Sequence, residues 1–351
     1  MLSPVSMLGL ASAVPSHKFG QDEVVHIARR IFAPTLQRYP QLIDIFANSG
    51  IEHRYSAVPI DWFDREQGWQ ERTQAYLDSA GALFVEAAGQ ALAKAGIAAR
   101  DVDVVVTVSS TGIATPSLDA RIGKRLGFRQ SISRVPVFGL GCAGGVSGLS
   151  IAARLARGEP GAIVLVVAVE LCTLAFRRDR GTKADVVAAA LFGDGAAAAV
   201  LQVQSGGGAR ARIGMASEHT WPATLDIMGW SVDPIGFGVV LSRALPKFVE
   251  ERLAAPARRF ARSAAAADAP RFICHPGGAK VLAAIETALD LDDGTLAVER
   301  DILRDFGNMS APTVLFVLER TLAAGFSGSA ILSALGPGFT ASFLALEAAG
   351  G

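Results

Sequence analysis

The stretch Val137-Phe138-Gly139-Leu140-Gly141-Cys142-Ala143-Gly144-Gly145-Val146-Ser147-Gly148-Leu149-Ser150 constrains this chain more than any other. Its apolar approach, Val135 to Leu140, reads as a short buried strand. Val146 to Arg157 has helical spacing with small residues on the packing side. Cys142 therefore falls on a tight strand-to-helix turn beside a helix N-terminus. The flanking glycines let backbone and substrate approach without a Cβ in the way. Unpaired N–H groups and the positive end of the helix dipole favour a thiolate there, so the cysteine pKa is expected to fall. Free cysteine is often a small core hydrophobe, but this setting favours a nucleophile.

The chain has 351 residues, half of them hydrophobic, with 33 basic and 33 acidic side chains. A balanced charge gives no electrostatic case for a nucleic-acid partner. Apolar runs such as Ala162 to Val169 are strand-length and far short of a membrane span, so no stable membrane insertion is expected. Met1 to Val14 lacks a basic leader and is not read as a signal peptide. The three cysteines, Cys142, Cys172 and Cys274, show neither disulfide pairing nor a metal-ligand spacing. A reducing, cytoplasmic setting fits them best.

Strand and helix signals alternate along the chain. Gln21 to Phe32, Glu71 to Lys94, Leu118 to Leu126, Ala184 to Leu191, Arg243 to Leu253, Ala279 to Leu289 and Thr313 to Ala323 read as helices. Asp101 to Val108, Ala162 to Val169, Ala196 to Leu201, Ala211 to Ala216, Gly238 to Leu241, Phe272 to His275, Ser329 to Leu335 and Ala341 to Leu346 read as strands. Pro256 to Ala269 reads as a surface helix and loop. Gln204 to Gly208 is a Ser/Gly-rich connection and the expected boundary between halves 1–204 and 205–351. Alternation in both halves argues for an α/β fold with layered sheets and for an old duplication.

Two further residues stand where chemistry is often placed. His275 ends a strand before Pro276-Gly277-Gly278, the position at which α/β folds present reactive groups; a turn histidine satisfied by backbone is the plain alternative. Asn308 lies in Phe306-Gly307-Asn308-Met309-Ser310-Ala311-Pro312, just before a helix, where an N-cap or turn asparagine is the plain alternative. Cysteine, histidine and asparagine together supply a nucleophile, a proton acceptor and a neutral hydrogen-bond donor. Such a set serves amide hydrolysis or acyl-thioester condensation. In condensation, Cys142 holds the acyl group while His275 and Asn308 donate to the malonyl thioester carbonyl and stabilise the enolate left by CO₂ loss.

At these residues the sequence resembles the type III polyketide synthases, the chalcone-synthase-like condensing enzymes. The motifs are Gly141-Cys142-Ala143-Gly144-Gly145, Phe192-Gly193-Asp194-Gly195-Ala196, His275-Pro276-Gly277-Gly278, Gly307-Asn308-Met309-Ser310 and Gly336-Pro337-Gly338. The resemblance implies a thiolase-like fold in a duplicated five-layer α-β-α-β-α arrangement, a homodimer, malonyl-CoA and acyl-CoA as substrates, and no metal or organic cofactor. It implies Cys142, His275 and Asn308 as the catalytic triad and Phe192 as the gatekeeper between CoA tunnel and elongation cavity, with plain core packing as the bland role for Phe192. Ser310 and Gly338 fall in motifs expected to line the substrate.

Three departures refine the expectation. The second gatekeeper phenylalanine of the plant enzymes falls on Val239, with Phe237 nearby. A cavity-floor threonine falls on Ala175. Both changes enlarge an apolar cavity, as in bacterial members that take fatty acyl-CoA starters and release alkylpyrones or alkylresorcinols. The basic segment that grips CoA in plant enzymes is here Gln41, Asp44 and Asn48, so Lys280 is a candidate replacement charge or else a solvated helix lysine. Alternatives are an initiating 3-ketoacyl synthase using malonyl-ACP, whose histidine is usually followed by Gln-Ala-Asn, and a type III synthase with a malonyl or aromatic starter. HMG-CoA synthase, a papain-like hydrolase and a non-catalytic scaffold fit less well.

Overall fold

The computed structural model describes residues 4–203, 209–264 and 270–348. Its strands in chain order are β1 (Val5–Ala13), β2 (His17–Gly20), β3 (His53–Ser56), β4 (Val104–Val108), β5 (Ser133–Val137), β6 (Val164–Leu171) and β7 (Asp194–Val203). They continue with β8 (Ala211–Thr220), β9 (Met228–Asp233), β10 (Gly236–Leu241), β11 (Arg271–Cys274), β12 (Gly328–Gly336) and β13 (Thr340–Ala348). Nine of them hydrogen-bond in the order β11-β12-β13-β8-β1-β7-β6-β4-β5. β1 meets β8 only through Val5–Met7 and Ala211–Ile213, a narrow join between two leaves. The boundary expected at Gln204 to Gly208 lies outside the described residues, as does the end of the segment Pro256 to Ala269.

Alternation along the strands sorts side chains into layers. Val105, Leu165, Val167 and Ala198 face outward beneath Ala80, Phe84 and Ala87 of the long helix Trp69–Ala95. Val104, Val106, Val108 and Val166 face the other way. They share a core with Val146 and Leu149 of helix Gly144–Gly158, Val314 and Val317 of helix Thr313–Ala323, and Leu332 and Leu344 of the second leaf. On the far side of that leaf, Ile331, Leu335, Ala341 and Phe343 meet the helices Leu245–Arg252, Ala254–Ser263 and Ala279–Leu289. The result is the five-layer α-β-α-β-α arrangement of a thiolase-like fold. Helices 144–158 and 313–323 form its central layer, and each begins beside a residue of the site.

Several elements differ from expectation. The strand before Cys142 is not buried: β5 is the edge of the sheet, pairs only with β4, and is followed by Phe138 at 57% exposure. Gly139 and Gly141, at φ +91° and +48°, turn the chain before it can continue into the core. Of the segment expected as a surface helix, Pro256, Ala257 and Phe260 are buried against the second leaf. Strand β9 and helix Ala297–Phe306 match no expected element. Among the described residues, no helix is long and apolar enough to cross a membrane, and no group of three or more His, Cys, Asp or Glu could hold a metal ion.

Two glycines show how closely the central layer is packed at the site. A Cβ on Gly145 would stand 2.3 Å from the Ala311 carbonyl oxygen, and one on Gly141 would stand 2.6 Å from Pro337 Cδ. Neither obstacle is a flexible side chain end. Gly145→Ala is therefore expected to force helix 144–158 away from the turn after Asn308. Overpacking of this kind costs about 1–3 kcal/mol, to be read as a lowered urea midpoint with an unchanged slope.

Candidate active site

Cys142 sits in a single 3₁₀ turn, Gly141–Ala143, that feeds directly into helix 144–158, and it is buried. His275 is the first residue after β11. Its N–H donates to the Ser333 carbonyl at 2.8 Å, extending the pairing with β12 by one residue before Pro276 breaks it. Asn308 follows Gly307, which adopts φ +71°. Its main chain is clamped on both sides: its N–H donates to the Leu191 carbonyl at 2.9 Å and its carbonyl accepts from Gly193 N–H at 3.0 Å. Its side chain is fixed too, with Nδ2 donating to the Gly277 carbonyl at 3.2 Å and Oδ1 accepting from Ser310 N–H at 2.8 Å. Asn308 is thus not a helix N-cap, since Pro312 holds that place for helix 313–323, but its Oδ1 bond to the N–H two residues on is that of a turn asparagine. The other Nδ2 hydrogen is the donor it turns to Cys142.

These three residues line one cavity of about 540 Å³, together with Phe192, Lys280 and Arg243. Ala175, Val239, Ser310 and Gly338 are not on its wall. Ala175 is buried in the 3₁₀ turn Cys172–Ala175, and Val239 is buried in β10, paired with Trp230. Ser310 takes the left-handed φ of +60°, uncommon for a residue with a Cβ, and its side chain hydrogen-bonds Cys142. Gly338 is engaged through its carbonyl, which accepts from Thr224 Oγ1 at 3.0 Å.

Burial dominates the electrostatics. The Cys142 thiol is pushed up to about 11 by desolvation; hydrogen bonds from Ser310 and Asn308 offset this only in part, and the nearby Glu170 carboxyl adds to it. The expected fall in its pKa is therefore overturned: loss of water outweighs the helix end, which begins two residues later. Desolvation lowers His275 to about 3, and neither ring nitrogen has a hydrogen-bond partner. Glu170, wholly buried at the end of β6, is raised to about 8 by the same cause. It accepts from Ser110 N–H and Thr111 Oγ1, while Oε1 has no partner. Thiol, imidazole and this carboxyl are all held neutral at neutral pH.

Residues 60–205 match the N-terminal domain, and 212–348 the C-terminal domain, of chalcone and stilbene synthases. The chain belongs to that family. It is a type III polyketide synthase, an acyl-transferring condensing enzyme. It is 38% identical to the 1,3,6,8-tetrahydroxynaphthalene synthase of Streptomyces peucetius subsp. caesius, over 97% of this chain and 93% of that protein. A putative chalcone synthase of Bacillus subtilis is 32% identical, over 96% and 97%. The solved 1,3,6,8-tetrahydroxynaphthalene synthase of Streptomyces coelicolor A3(2) superposes with a TM-score of 0.91 at 28% identity, covering 99% of this chain and all of that one. CsyB in complex with CoA-SH gives 0.90 at 27%, covering 98% and all of that chain.

Sequence reasoning on this synthase passed over Glu170 and Arg243. An acid closing the all-buried strand β6 was the available signal for Glu170. Nothing local marks Arg243, which reaches the cavity only through the fold.

Because the Cys142 thiol is raised, its thiolate fraction should climb about tenfold per pH unit up to about 11. The rate of iodoacetamide inactivation is expected to follow that slope. A plateau already reached at neutral pH would show that the imidazole takes the proton in the free enzyme.

Proposed function

We propose that this synthase carries its starter acyl group as a thioester on Cys142 and extends it with malonyl-CoA. His275 and Asn308 hydrogen-bond the malonyl thioester carbonyl. CO₂ leaves, its bonding electrons form the enolate, and the enolate carbon attacks the Cys142 thioester and expels the thiolate. The lengthened chain is then on CoA and can return to Cys142 for another round before cyclising. The observation that carries this reading is the Asn308 side chain, locked by Gly277 and Ser310 inside the cavity that Cys142 and His275 line. Neutral donors suit the step, since they stabilise the developing oxyanion without a charge that would hold the departing carboxylate. Phe192 lines the same cavity next to Asn308, which supports a gatekeeper role.

The starter in this reading is a fatty acyl-CoA and the product an alkylpyrone or alkylresorcinol. Leu42, Ile45, Val187, Leu191 and Val281 give the cavity an apolar wall, and each buried CH₂ contributes about 0.8 kcal/mol. Ala175 and Val239 stand off this wall, so chain-length selection falls first to the wall residues. CsyB of Aspergillus oryzae, 29% identical, is an acylalkylpyrone synthase by name. A second reading, a malonyl starter with a polyhydroxylated aromatic product, is favoured by the 38% identity to a tetrahydroxynaphthalene synthase. Mass spectrometry of products from acyl-CoA starters of increasing length, and from malonyl-CoA alone, separates the two. Long starters should be turned over best; an aromatic product from malonyl-CoA alone at a higher rate would select the second reading. Cys142→Ala should abolish product. Asn308→Ala should lose roughly 10²–10³ in decarboxylation while Cys142 still accepts labelled starter.

CoA anchoring in this reading falls to residues other than those of the plant enzymes. Gln41, Asp44 and Asn48 offer no cation, whereas Arg243 and Lys280 line the same cavity and are exposed. Charge reversal at either is expected to raise KM for malonyl-CoA about tenfold and to leave malonyl-pantetheine, which lacks the nucleotide phosphates, unaffected. A homodimer belongs to this reading as well. The unpaired edge of β5 beside Phe138, and the 53% exposed Ile113, are features that partners usually cover. Sedimentation should give twice the chain mass, and Phe138→Asp should reduce it. The reading calls for no metal or organic cofactor, so turnover should survive chelators, and for the reducing cytoplasm that suits three free thiols.

A further inference from the structure

We propose that Arg54 is a positioning residue for decarboxylation: its guanidinium fixes the main chain that holds Phe192 and, through it, Asn308. This rests on the role proposed above for Asn308. Arg54 lies on β3 and is 1% exposed, an unusual place for an arginine. Nη1 donates to the Ala189 carbonyl at 2.6 Å and the Phe192 carbonyl at 2.9 Å. Nη2 donates to the Ala190 carbonyl at 2.8 Å and to Gln21 Oε1.

Those carbonyls lie at the C-terminal end of helix Lys183–Leu191 and just beyond it. Helix ends leave such groups without intrahelical donors, and here one buried planar fork satisfies three. The residues between and beyond them do the complementary work: the Leu191 carbonyl and Gly193 N–H are the two groups that clamp the Asn308 main chain. Holding 190 and 192 therefore fixes 191 and 193, and with them Asn308. There is no slack, since a Cβ on Gly193 would stand 2.6 Å from the Phe306 carbonyl oxygen. The buried cation is balanced by Asp194, whose carboxylate accepts from Ala57 N–H at 2.7 Å and Thr173 N–H at 2.8 Å. Lysine could not replace the fork, because a single ammonium cannot hold several coplanar acceptors.

The fork itself makes no hydrogen bond to His275 or Cys142 among the described residues, and Cys142 meets the braced segment through the Asn308 side chain. Loss of the fork should therefore lower decarboxylation, which depends on Asn308, more than loading of the thiol, whereas a general loss of folding would lower both together. In Arg54→Lys, kcat for malonyl-CoA decarboxylation is expected to fall about 10²-fold, the scale of a small misplacement, with KM within about threefold. Labelled starter should still load Cys142 to full stoichiometry. Gln21→Met removes one of the two hydrogen bonds of Nη2, along with the Gln21 bonds to the Phe46 carbonyl and Ser49 Oγ, with Arg54 in place. It should show the same split in smaller measure, and it decides the matter if Arg54→Lys does not fold. Loading and decarboxylation falling in parallel, or an unchanged ratio in the variant that folds, would overturn the inference. If wild type neither loads Cys142 nor decarboxylates malonyl-CoA, the functional reading falls first and this one with it.

Discussion

Two backbone hydrogen bonds hold this site together: Asn308 N–H to the Leu191 carbonyl, and Gly193 N–H to the Asn308 carbonyl. They form an isolated parallel bridge between Phe192 and Asn308, outside every named strand. Gly193 and Asn308 are buried, so each of their groups left unpaired would cost its desolvation, about 1–3 kcal/mol. The bridge ties the loop before β7 to the turn before helix 313–323, and so brings residues far apart in sequence to one cavity. Gly145 completes the arrangement by letting helix 144–158, which follows Cys142, rest on the Ala311 backbone.

Dryness is the second governing condition. In bulk water a thiol, an imidazole and a carboxyl would titrate at very different points. In the cavity burial moves Cys142 up and His275 down, and nearby it moves Glu170 up, which leaves all three uncharged near neutrality. A low-dielectric site strengthens any hydrogen bond made to a charge that develops during reaction. It also makes each unpartnered polar atom costly in the free enzyme, and the His275 nitrogens and Glu170 Oε1 are such atoms. The strained Ser310, at φ +60°, is a further local cost held in place by its neighbours. Costs of this kind collect where substrate must be recognised, while the five packed layers supply the stability that supports them.

The sequence made much of this legible, for stated reasons. Helices 69–95, 279–289 and 313–323 announce themselves because a helix that covers a sheet needs apolar side chains at a fixed period. Cys142, His275 and Asn308 stand out because glycine or proline beside a chemically active residue marks a turn the backbone could not otherwise make. The strand before Cys142 was misread for the complementary reason. An apolar run looks the same whether it lies in the middle of a sheet or at its edge, and only pairing partners distinguish the two. Arg54 was silent because arginine is usually exposed, and nothing within a few residues of it shows that the end of a distant helix lacks donors.

What the sequence by itself determined was the alternation of strands and helices, the turn chemistry, and the identity of the three residues that meet. These depend on local sterics and on hydrophobic period, which neighbouring residues fix. Tertiary structure alone decided that the Cys142 pKa rises where the local helix end would lower it, because desolvation depends on every layer that excludes water. It also decided that Ala175 and Val239 stand off the cavity wall while Arg243 reaches it. Which side chains face a cavity depends on how separate elements cross, and no local pattern records that.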